Sequence, residues 1–406
     1  MTDLAATSIK VPRETYLKLF LRFLKFGFLA WGGPVAQIAM IRQDLVEEEK
    51  WISGERFNRI LAVYQVLPGP EAHEICVYFG MLSRGRFGAF LAGLGFMLPG
   101  FVLMLLLSWF YVTYGINSTI FQAIFMGMQP AVAALIVRAV HRIGGHVLHE
   151  NRWLWGIALV AGLGQLLGFN FLIILLTAGI IYSLAQRGQT RLALGLGFTF
   201  IVLVATVIFG FAPLPFRDTA LASPLTLSGP PSLMQLLLSG LRAGLLTFGG
   251  AYTAIPFLQH DAVQVGRWLT NAQFLDGLAL SGLLPAPLII FSTFIGYLGG
   301  GPLGALVITL GIFAPAFAFT MIGHGYIERL VENTSVHAFL DGVTAGVVGL
   351  IAATALGILS ETVIGISAWL IFGLALLALF RFKVKWAIAV ILLSAGMYGL
   401  IFLRGG

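Results

Sequence analysis

The 406-residue chain contains very little charge and almost no cysteine. Charged residues make up 10% of it, whereas soluble domains contain about 25%. Hydrophobic residues reach 58%, which is more apolar surface than a water-soluble fold of this size can bury. Cys76 is the only cysteine, so an internal disulfide, a cysteine-based metal cage and a redox pair are excluded.

Sequence motifs for catalysis and for nucleotide binding are also missing. The sequence contains no nucleotide-binding loop, no metalloprotease motif and no Ser/His/Asp arrangement in a suitable context. We therefore expect no catalytic residues, no cofactor and no metal, and a protein that is not an enzyme. His141, His146 and His149 cluster in a basic segment; a metal site there is conceivable, but a solvated loop is the favoured interpretation.

What the chain does contain is a series of apolar runs of about 20 residues, the length that crosses about 30 Å of hydrocarbon. The pattern predicts an all-α polytopic membrane protein with about thirteen transmembrane helices, and the lipid bilayer as a partner. The predicted spans are 17–40, 57–82, 87–112, 119–140, 153–168, 170–186, 192–212, 232–257, 271–298, 302–324, 335–357, 363–380 and 386–403.

The net charge of +7 would suggest nucleic acid in a soluble protein, but here basic residues in short loops set orientation, and no nucleic acid is expected. They place the N-terminus in the cytoplasm. The basic residues then expected inside are Arg84, Arg86, Arg138, Arg142, Arg152, Arg187, Arg191, Arg267, Arg381, Lys383 and Lys385. The segment 41–56 is expected outside, although it holds Arg42, Lys50 and Arg56.

The sequence repeats itself. Residues 31–70 align without a gap on 248–287, and the identical pairs include Gly32 with Gly249, Trp51 with Trp268 and Pro68 with Pro285. Such matches at Gly, Trp and Pro indicate a duplicated fold rather than chance likeness of apolar sequence. The predicted domains are a first repeat at 1–212, a linker at 213–231 and a second repeat at 232–406.

An odd number of crossings, seven, before the second half predicts inverted-topology repeats, the plan of many secondary transporters. The two runs within 153–186 are short and only Gly168 and Asn170 separate them. If they formed one re-entrant hairpin, the number of crossings before the second half would be predicted to fall by one. The two halves would then be parallel.

Each half has a Gly-Gly pair inside one apolar run and a Leu-Pro-x-Pro inside the next. Proline and paired glycines favour broken helices, whose bare N–H groups suit an anion. The alternative is that they serve packing or kinks alone. The residues predicted to form the substrate site at these breaks are Gly32, Gly33, Pro68, Gly69, Pro70, Gly249, Gly250, Pro285 and Pro287.

Basic residues precede both Gly-Gly pairs. Lys18, Arg22 and Lys25 share one helical face, and Arg242 in the second half matches Lys25. Because ionisable residues deep in a membrane are costly and usually functional, Lys25 and Arg242 are predicted to bind the substrate. Lys18 and Arg22 are instead expected to reach the cytoplasmic interface.

Glu71, His73 and Glu74 follow the first Pro-Gly-Pro directly, whereas the second half has apolar residues at these positions. Two carboxylates beside an anion site are useful only when they can take up protons, so these three residues are predicted to couple transport to protons. Helix capping is the alternative for Glu71. Arg59 and its repeat counterpart Asp276 are opposite in charge, which allows a salt bridge between the halves.

Asp341 is the most isolated charge in an apolar run. Two interpretations of Asp341 are equally good. Its carboxylate is hydrogen-bonded to the backbone or solvent, or it has a functional role.

Four segments carry a family resemblance: FGFLAWGGPVAQIAMIRQDLVEEEKWIS, QVLPGPEAHEICVYFGMLSRGRFGAFLAGLGFMLPG, LLTFGGAYTAIPFLQ and LSGLLPAPLIIFSTFIGY. They resemble the chromate ion transporter family, and more closely its long-chain members with two fused domains. The resemblance implies a bacterial or archaeal inner-membrane carrier that exports chromate, with sulfate as a related substrate. One departure is Ala286, which stands where the resemblance leads us to expect glycine.

Export of a dianion agrees with the electrical driving force. Each elementary charge gains about 2.3 kcal/mol per 100 mV of inside-negative potential. Exchange of the anion for protons would add to this driving force. The alternatives are a carrier of sulfate or another small anion, a passive channel, and an intramembrane enzyme or non-transporting scaffold. A homodimer is also compatible with the sequence.

Overall fold

The computed structural model describes residues 11–116, 118–149, 151–208, 229–248, 250–331, 334–382, 384 and 386–403. The predicted site residue Gly249, the linker residues 213–228, and Lys383 and Lys385 lie outside the described residues. Throughout the described part the regular structure is helical, which confirms the predicted all-α polytopic class.

The part of the first half that the structure describes contains eight α-helices. They are α1 (Tyr16–Phe28), α2 (Pro34–Arg42), α3 (Gly54–Val66), α4 (Glu71–Phe110), α5 (Thr119–Val147), α6 (Arg152–Leu166), α7 (Phe171–Gln186) and α8 (Thr190–Ile208).

The second half contains seven within the described residues. They are α9 (Leu233–Leu245), α10 (Ile255–Gln259), α11 (Asn271–Gly282), α12 (Phe291–Val331), α13 (Thr334–Thr362), α14 (Ile366–Arg381) and α15 (Ala387–Phe402). Short 3₁₀ turns at Ala251–Ala254 and Leu288–Ile290 precede α10 and α12.

Helices α1–α7 repeat as α9–α15, down to irregular details. A π-helical turn follows α2 at Gln43–Glu48 and follows α10 at His260–Val265. The long helices α4 and α12 are each interrupted by a glycine with φ of 62°, Gly85 and Gly301, a conformation that other residues adopt only with strain. Helix α8 has no counterpart among the described residues of the second half.

The run predicted as one crossing at 17–40 is a hairpin. Gly32 and Gly33 have φ of 90° and 79°, and the chain turns back between α1 and α2. As a result Arg22 of α1 pairs with Glu49, 2.5 Å away, and with Glu14, 2.7 Å away. The segment 41–56 therefore lies at the same end of the molecule as residues 12–16. The expectation that it lies on the opposite side is wrong, and its basic residues no longer conflict with the orientation rule.

The next run, 57–82, is also a hairpin. It turns back at Pro68–Pro70, so that the Ser83 hydroxyl donates to the Pro12 carbonyl oxygen over 2.7 Å. The second half repeats the arrangement, since Gly299 contacts both Pro231 and Trp268. Each half therefore begins with two hairpins whose tips are the predicted breaks.

The halves run in opposite directions. The part of α4 that follows Gly85 runs away from the end that holds residues 12–16 until Tyr111, just beyond the end of α4, donates to Asp276 of α11 over 2.8 Å. Helix α12 in turn packs Phe317 on His73 of the first half, with ring centroids 4.7 Å apart. The stretches long and apolar enough to cross a membrane are Glu71–Gly115, Thr119–Val147, Leu288–Gly323 and Val336–Thr362, among the described residues. Inverted repeats with broken helices are thereby confirmed.

Helices α6 and α7 are two separate, antiparallel helices. Asn151, at the start of α6, donates to the hydroxyl of Tyr182 near the end of α7 over 2.8 Å. Two antiparallel helices return the chain to the end of the molecule from which α6 starts. This holds whether or not each helix crosses the whole membrane. The orientation of the second half is therefore independent of this pair and depends on the unpaired helix α8, so the proposed change to parallel halves does not arise.

The two halves interlock through their fifth helices. Helix α5 packs on α14 and α15 of the second half, and α13 packs on α6 and α7 of the first. Close approaches occur at equivalent glycines: a β-carbon at Gly127 would collide with the Ala395 carbonyl oxygen, and one at Gly342 would lie 2.6 Å from that of Ala178. Small residues at such crossings let helix backbones pack closely in a membrane.

A matched pair of substitutions in α5 tests this interface. Gly127→Ala is expected to destabilise the protein by about 1–3 kcal/mol, because the helices must separate to admit the methyl group. Gly145→Ala, where no atom lies within 4 Å of the added carbon, is expected to stabilise it by up to about 1 kcal/mol through helix propensity. Thermal unfolding in detergent measures both. Equal melting temperatures for the two variants would contradict the interlocked packing.

Candidate functional site

The four predicted breaks meet at the centre of the molecule. The Gly69 N–H donates to the Thr247 carbonyl oxygen over 2.8 Å, which joins the second hairpin of the first half to the first hairpin of the second. A β-carbon added at Gly250 would lie 3.8 Å from the Pro34 ring, and Ala286 packs directly against Gly100 of α4. The breaks therefore form one locus between the halves, as a shared site requires.

A helical segment starts immediately after each break. These segments begin at Pro34, Glu71, Ala251 and Leu288, and the residue before each supplies no side-chain cap. Uncapped helix starts carry bare N–H groups and a partial positive charge. The starts of α2 and α4, the two α-helices among these segments, therefore favour an anion at this point.

A cavity of about 850 Å³ leads to this centre. Because α5 starts beside the end of α4 and runs back, the cavity opens at the end of the molecule that holds residues 12–16. Pro34 and Glu71 form its inner part. The remaining polar lining residues come from α3, α5, α7 and α13 and the α5–α6 connection: Gln65, Arg142, His146, His149, Asn151, Tyr182, His337, Asp341 and Thr344.

Arg142 is the principal cation of the cavity. Its guanidinium lies over the ring of Tyr252, with the Cζ 5.3 Å from the centroid, and Tyr252 follows Gly250 in the second half. The expectation that Arg142 lies in an inner loop, beyond the predicted span 119–140, is wrong because α5 continues to Val147. The signal that could have revealed it is its four-residue spacing from Arg138 at the end of an apolar run, which places both on one helix face.

The three predicted proton carriers lie in the first turn of α4 but in different environments. Glu71 lines the cavity. Glu74 is fully buried against Gly69, and neither of its carboxyl oxygens has a hydrogen-bond partner. His73 is enclosed by aromatic rings, with Phe313 and Phe317 at 4.9 and 4.7 Å. The structure therefore brings the two carboxyl groups to the site and turns the imidazole away from the cavity.

The basic residues predicted to bind substrate lie outside the cavity lining. Lys25 is exposed on α1. Arg242 pairs with Asp261 over 2.8 Å, and Arg22 is held by Glu14, Glu49 and Asp44. These contacts tie the two arms of each first hairpin together, through Arg22 in the first half and Arg242 in the second.

Three further expectations are changed by the tertiary contacts. Asp341 is not isolated, because His337 lies 3.0 Å away on the same helix face and both line the cavity. Asp276 does not pair with Arg59, which is exposed; it accepts hydrogen bonds from Tyr111 and Gln129.

The histidine segment is likewise not a loop. His141 and His146 belong to α5, and the rings of His146 and His149 lie 5.9 Å apart.

Comparison with known proteins agrees with this architecture. The model of a family described as "Chromate transporter" matches residues 17–184 and 234–400, which leaves α8 outside both matched segments. The chain is 52% identical over 399 residues to a "Chromate transport protein" of Pseudomonas aeruginosa, covering 97% of this chain and 94% of that protein.

Two more distant relatives also match along nearly the whole length. A "Probable chromate transport protein" of Synechococcus elongatus is 30% identical, with 96% of each chain covered. A "Chromate transport protein" of Cupriavidus metallidurans is 29% identical, covering 98% of this chain and 96% of that one. No solved structure matches the chain.

Proposed function

The chain belongs to the chromate transporter family, and on that premise we propose that it is a secondary transporter that exports chromate from the cytoplasm. The observation that carries the proposal is the 850 Å³ cavity that leads past Arg142 to four uncapped helix starts. Such starts supply N–H donors to a tetrahedral oxyanion without the desolvation cost of several buried cations.

Arg142, rather than Lys25 or Arg242, binds the substrate in this proposal. Its planar guanidinium can donate two parallel hydrogen bonds to adjacent oxygens of the anion, and the Tyr252 ring below it fixes its orientation. The backbone at Gly33 and Gly69 forms part of the wall of the central site where the breaks meet. No catalytic residue is needed, since the substrate leaves unchanged.

Orientation follows from the corrected topology. With 41–56 at the N-terminal end, Arg42, Lys50 and Arg56 join Arg84 and Arg86 on one side of the membrane. An excess of basic residues marks the cytoplasmic side. We therefore assign the N-terminus and the mouth of the cavity to the cytoplasm, and the protein to the inner membrane of a bacterial or archaeal cell.

Proton exchange is the proposed coupling. Glu71 is open to the cavity and Glu74 lies one turn behind it, in a site without any donor. Because an isolated buried carboxylate is very costly, Glu74 is neutral in this conformation and releases its proton only when its site becomes accessible from the cavity. Transfer of the proton between Glu74 and the cavity through Glu71 would then link chromate movement to protons.

Everted membrane vesicles test the substrate and the direction. Labelled chromate is expected to enter them with saturable kinetics, faster when the interior is made positive, and excess sulfate is expected to compete because it shares the tetrahedral dianion shape. Vesicles that lack the protein are the control. Uptake of sulfate without chromate would replace the proposed substrate by sulfate, and uptake that never saturates would indicate a channel.

A further inference from the structure

The pseudo-symmetry gives each residue that lines the cavity a counterpart at the opposite end of the molecule. Ala62 of α3 corresponds to Ala279 of α11, and Thr344 of α13 corresponds to Gln129 of α5. At the cavity end, α3 and α13 contact each other less extensively, and Ala62 and Thr344 both line the cavity. At the far end, α11 and α5 pack closely, and Ala279 is completely buried.

A three-residue cluster, Asp276, Tyr111 and Gln129, holds the far end closed. One carboxylate oxygen of Asp276 accepts from the Tyr111 hydroxyl over 2.8 Å, and the other accepts from the Gln129 amide over 3.0 Å. Asp276 is 6% exposed and belongs to the second half, whereas both donors belong to the first. Its counterpart Arg59 is exposed and makes no such link to any residue that the structure describes.

We infer that this cluster is the gate on the exit side, which must open for the anion to leave. The inference rests on the proposed transport function. The gate joins three helices at one carboxylate, so α11 can separate from α4 and α5 only when water replaces both donors. Hydrogen bonds to an ionised group are among the stronger ones in proteins, and this cluster therefore favours the conformation that is open towards the cytoplasm.

Tyr111 lies in the π-helical turn Tyr111–Gly115 that follows α4. Such turns are often found at functional sites, because the extra residue leaves the backbone ladder locally weaker. Bending at this turn offers a way to withdraw the Tyr111 hydroxyl without moving the rest of α4.

Thiol labelling tests the gate independently of transport. Cys76 is the only cysteine and is buried, so Cys76→Ala provides a background in which Ala62→Cys and Ala279→Cys report on the two ends. In nanodiscs, where both faces are accessible, a polar maleimide is expected to label Ala62→Cys readily and Ala279→Cys slowly. Adding Tyr111→Phe or Asp276→Ala is expected to raise the Ala279→Cys labelling rate by about ten- to a hundredfold.

Arg59→Ala is the matched control, and it should leave the Ala279→Cys labelling rate unchanged. Melting temperatures of all variants separate gate opening from general unfolding, and Tyr111→Phe removes only one hydroxyl. Unchanged labelling in folded Tyr111→Phe and Asp276→Ala proteins would overturn the gate. Increased labelling in a protein that fails to carry chromate would support the gate while refuting the proposed substrate.

Discussion

Replacing Arg142 by alanine is expected to lower chromate transport at least about tenfold. A hydrogen bond to a charged partner contributes about 1.5–3 kcal/mol, and Arg142 is the cation positioned on Tyr252 beside the helix starts. Because the lost interaction is with the bound anion, the concentration for half-maximal uptake should rise. Initial rates of labelled chromate uptake into everted vesicles, over a range of concentrations, measure the effect.

Two further variants separate charge from geometry. Arg142→Lys keeps the charge but loses the planar fork, so its uptake should lie between those of the wild type and Arg142→Ala. Arg187→Ala removes an exposed arginine just after α7 and should transport normally. Wild-type uptake by folded Arg142→Ala protein would show that the anion is bound elsewhere, and the exposed Lys25 would then be the next residue to test.

Replacing Glu74 by glutamine is expected to abolish the response of chromate uptake to an imposed pH gradient. The glutamine side chain has the size of a neutral carboxyl group but cannot release a proton. It should fit the site against Gly69, so the protein is expected to fold and to carry chromate driven by membrane potential alone. Uptake into everted vesicles with and without the gradient, at a fixed potential, measures the difference.

Glu55→Gln serves as the control, because Glu55 is exposed on α3 and should leave the response intact. Glu71→Gln is expected to weaken the response as well, since Glu71 connects Glu74 to the cavity. A full response to the pH gradient in Glu74→Gln protein would exclude Glu74 as the proton carrier and leave Glu71 as the sole candidate.

The broken helices could be predicted because their cause is local. A proline lacks the backbone donor, and a glycine pair permits positive φ angles, wherever they occur in an apolar run. Gly33 and Gly69 were identified on this basis, and the structure breaks the helices at both. Local signals do not reveal the direction in which the chain continues after a break. The run 17–40 therefore looked like one crossing, although its two arms are held together by Arg22.

The charged residues likewise show what local sequence reveals and what only tertiary contacts decide. Lys25 and Arg242 stood out because they are duplicated before the glycine pairs, yet the Arg242 partner Asp261 comes from the returning arm of the hairpin. Arg142 has no charged counterpart in the second half and was counted among loop residues. Its role depends on Tyr252, which is far from it in sequence and becomes its neighbour only when the halves pack together.

The sequence by itself determined the membrane class, the duplication, the positions of the breaks and the resemblance to one family. These properties follow from composition, hydrophobic length and backbone chemistry, which act over a few residues at a time. Only the tertiary structure decided that the first two runs of each half are hairpins, that Arg142 faces the centre and that Asp276 closes the far end. Each of these depends on contacts between segments distant in sequence, chiefly between the halves, and no local pattern encodes which distant segments meet.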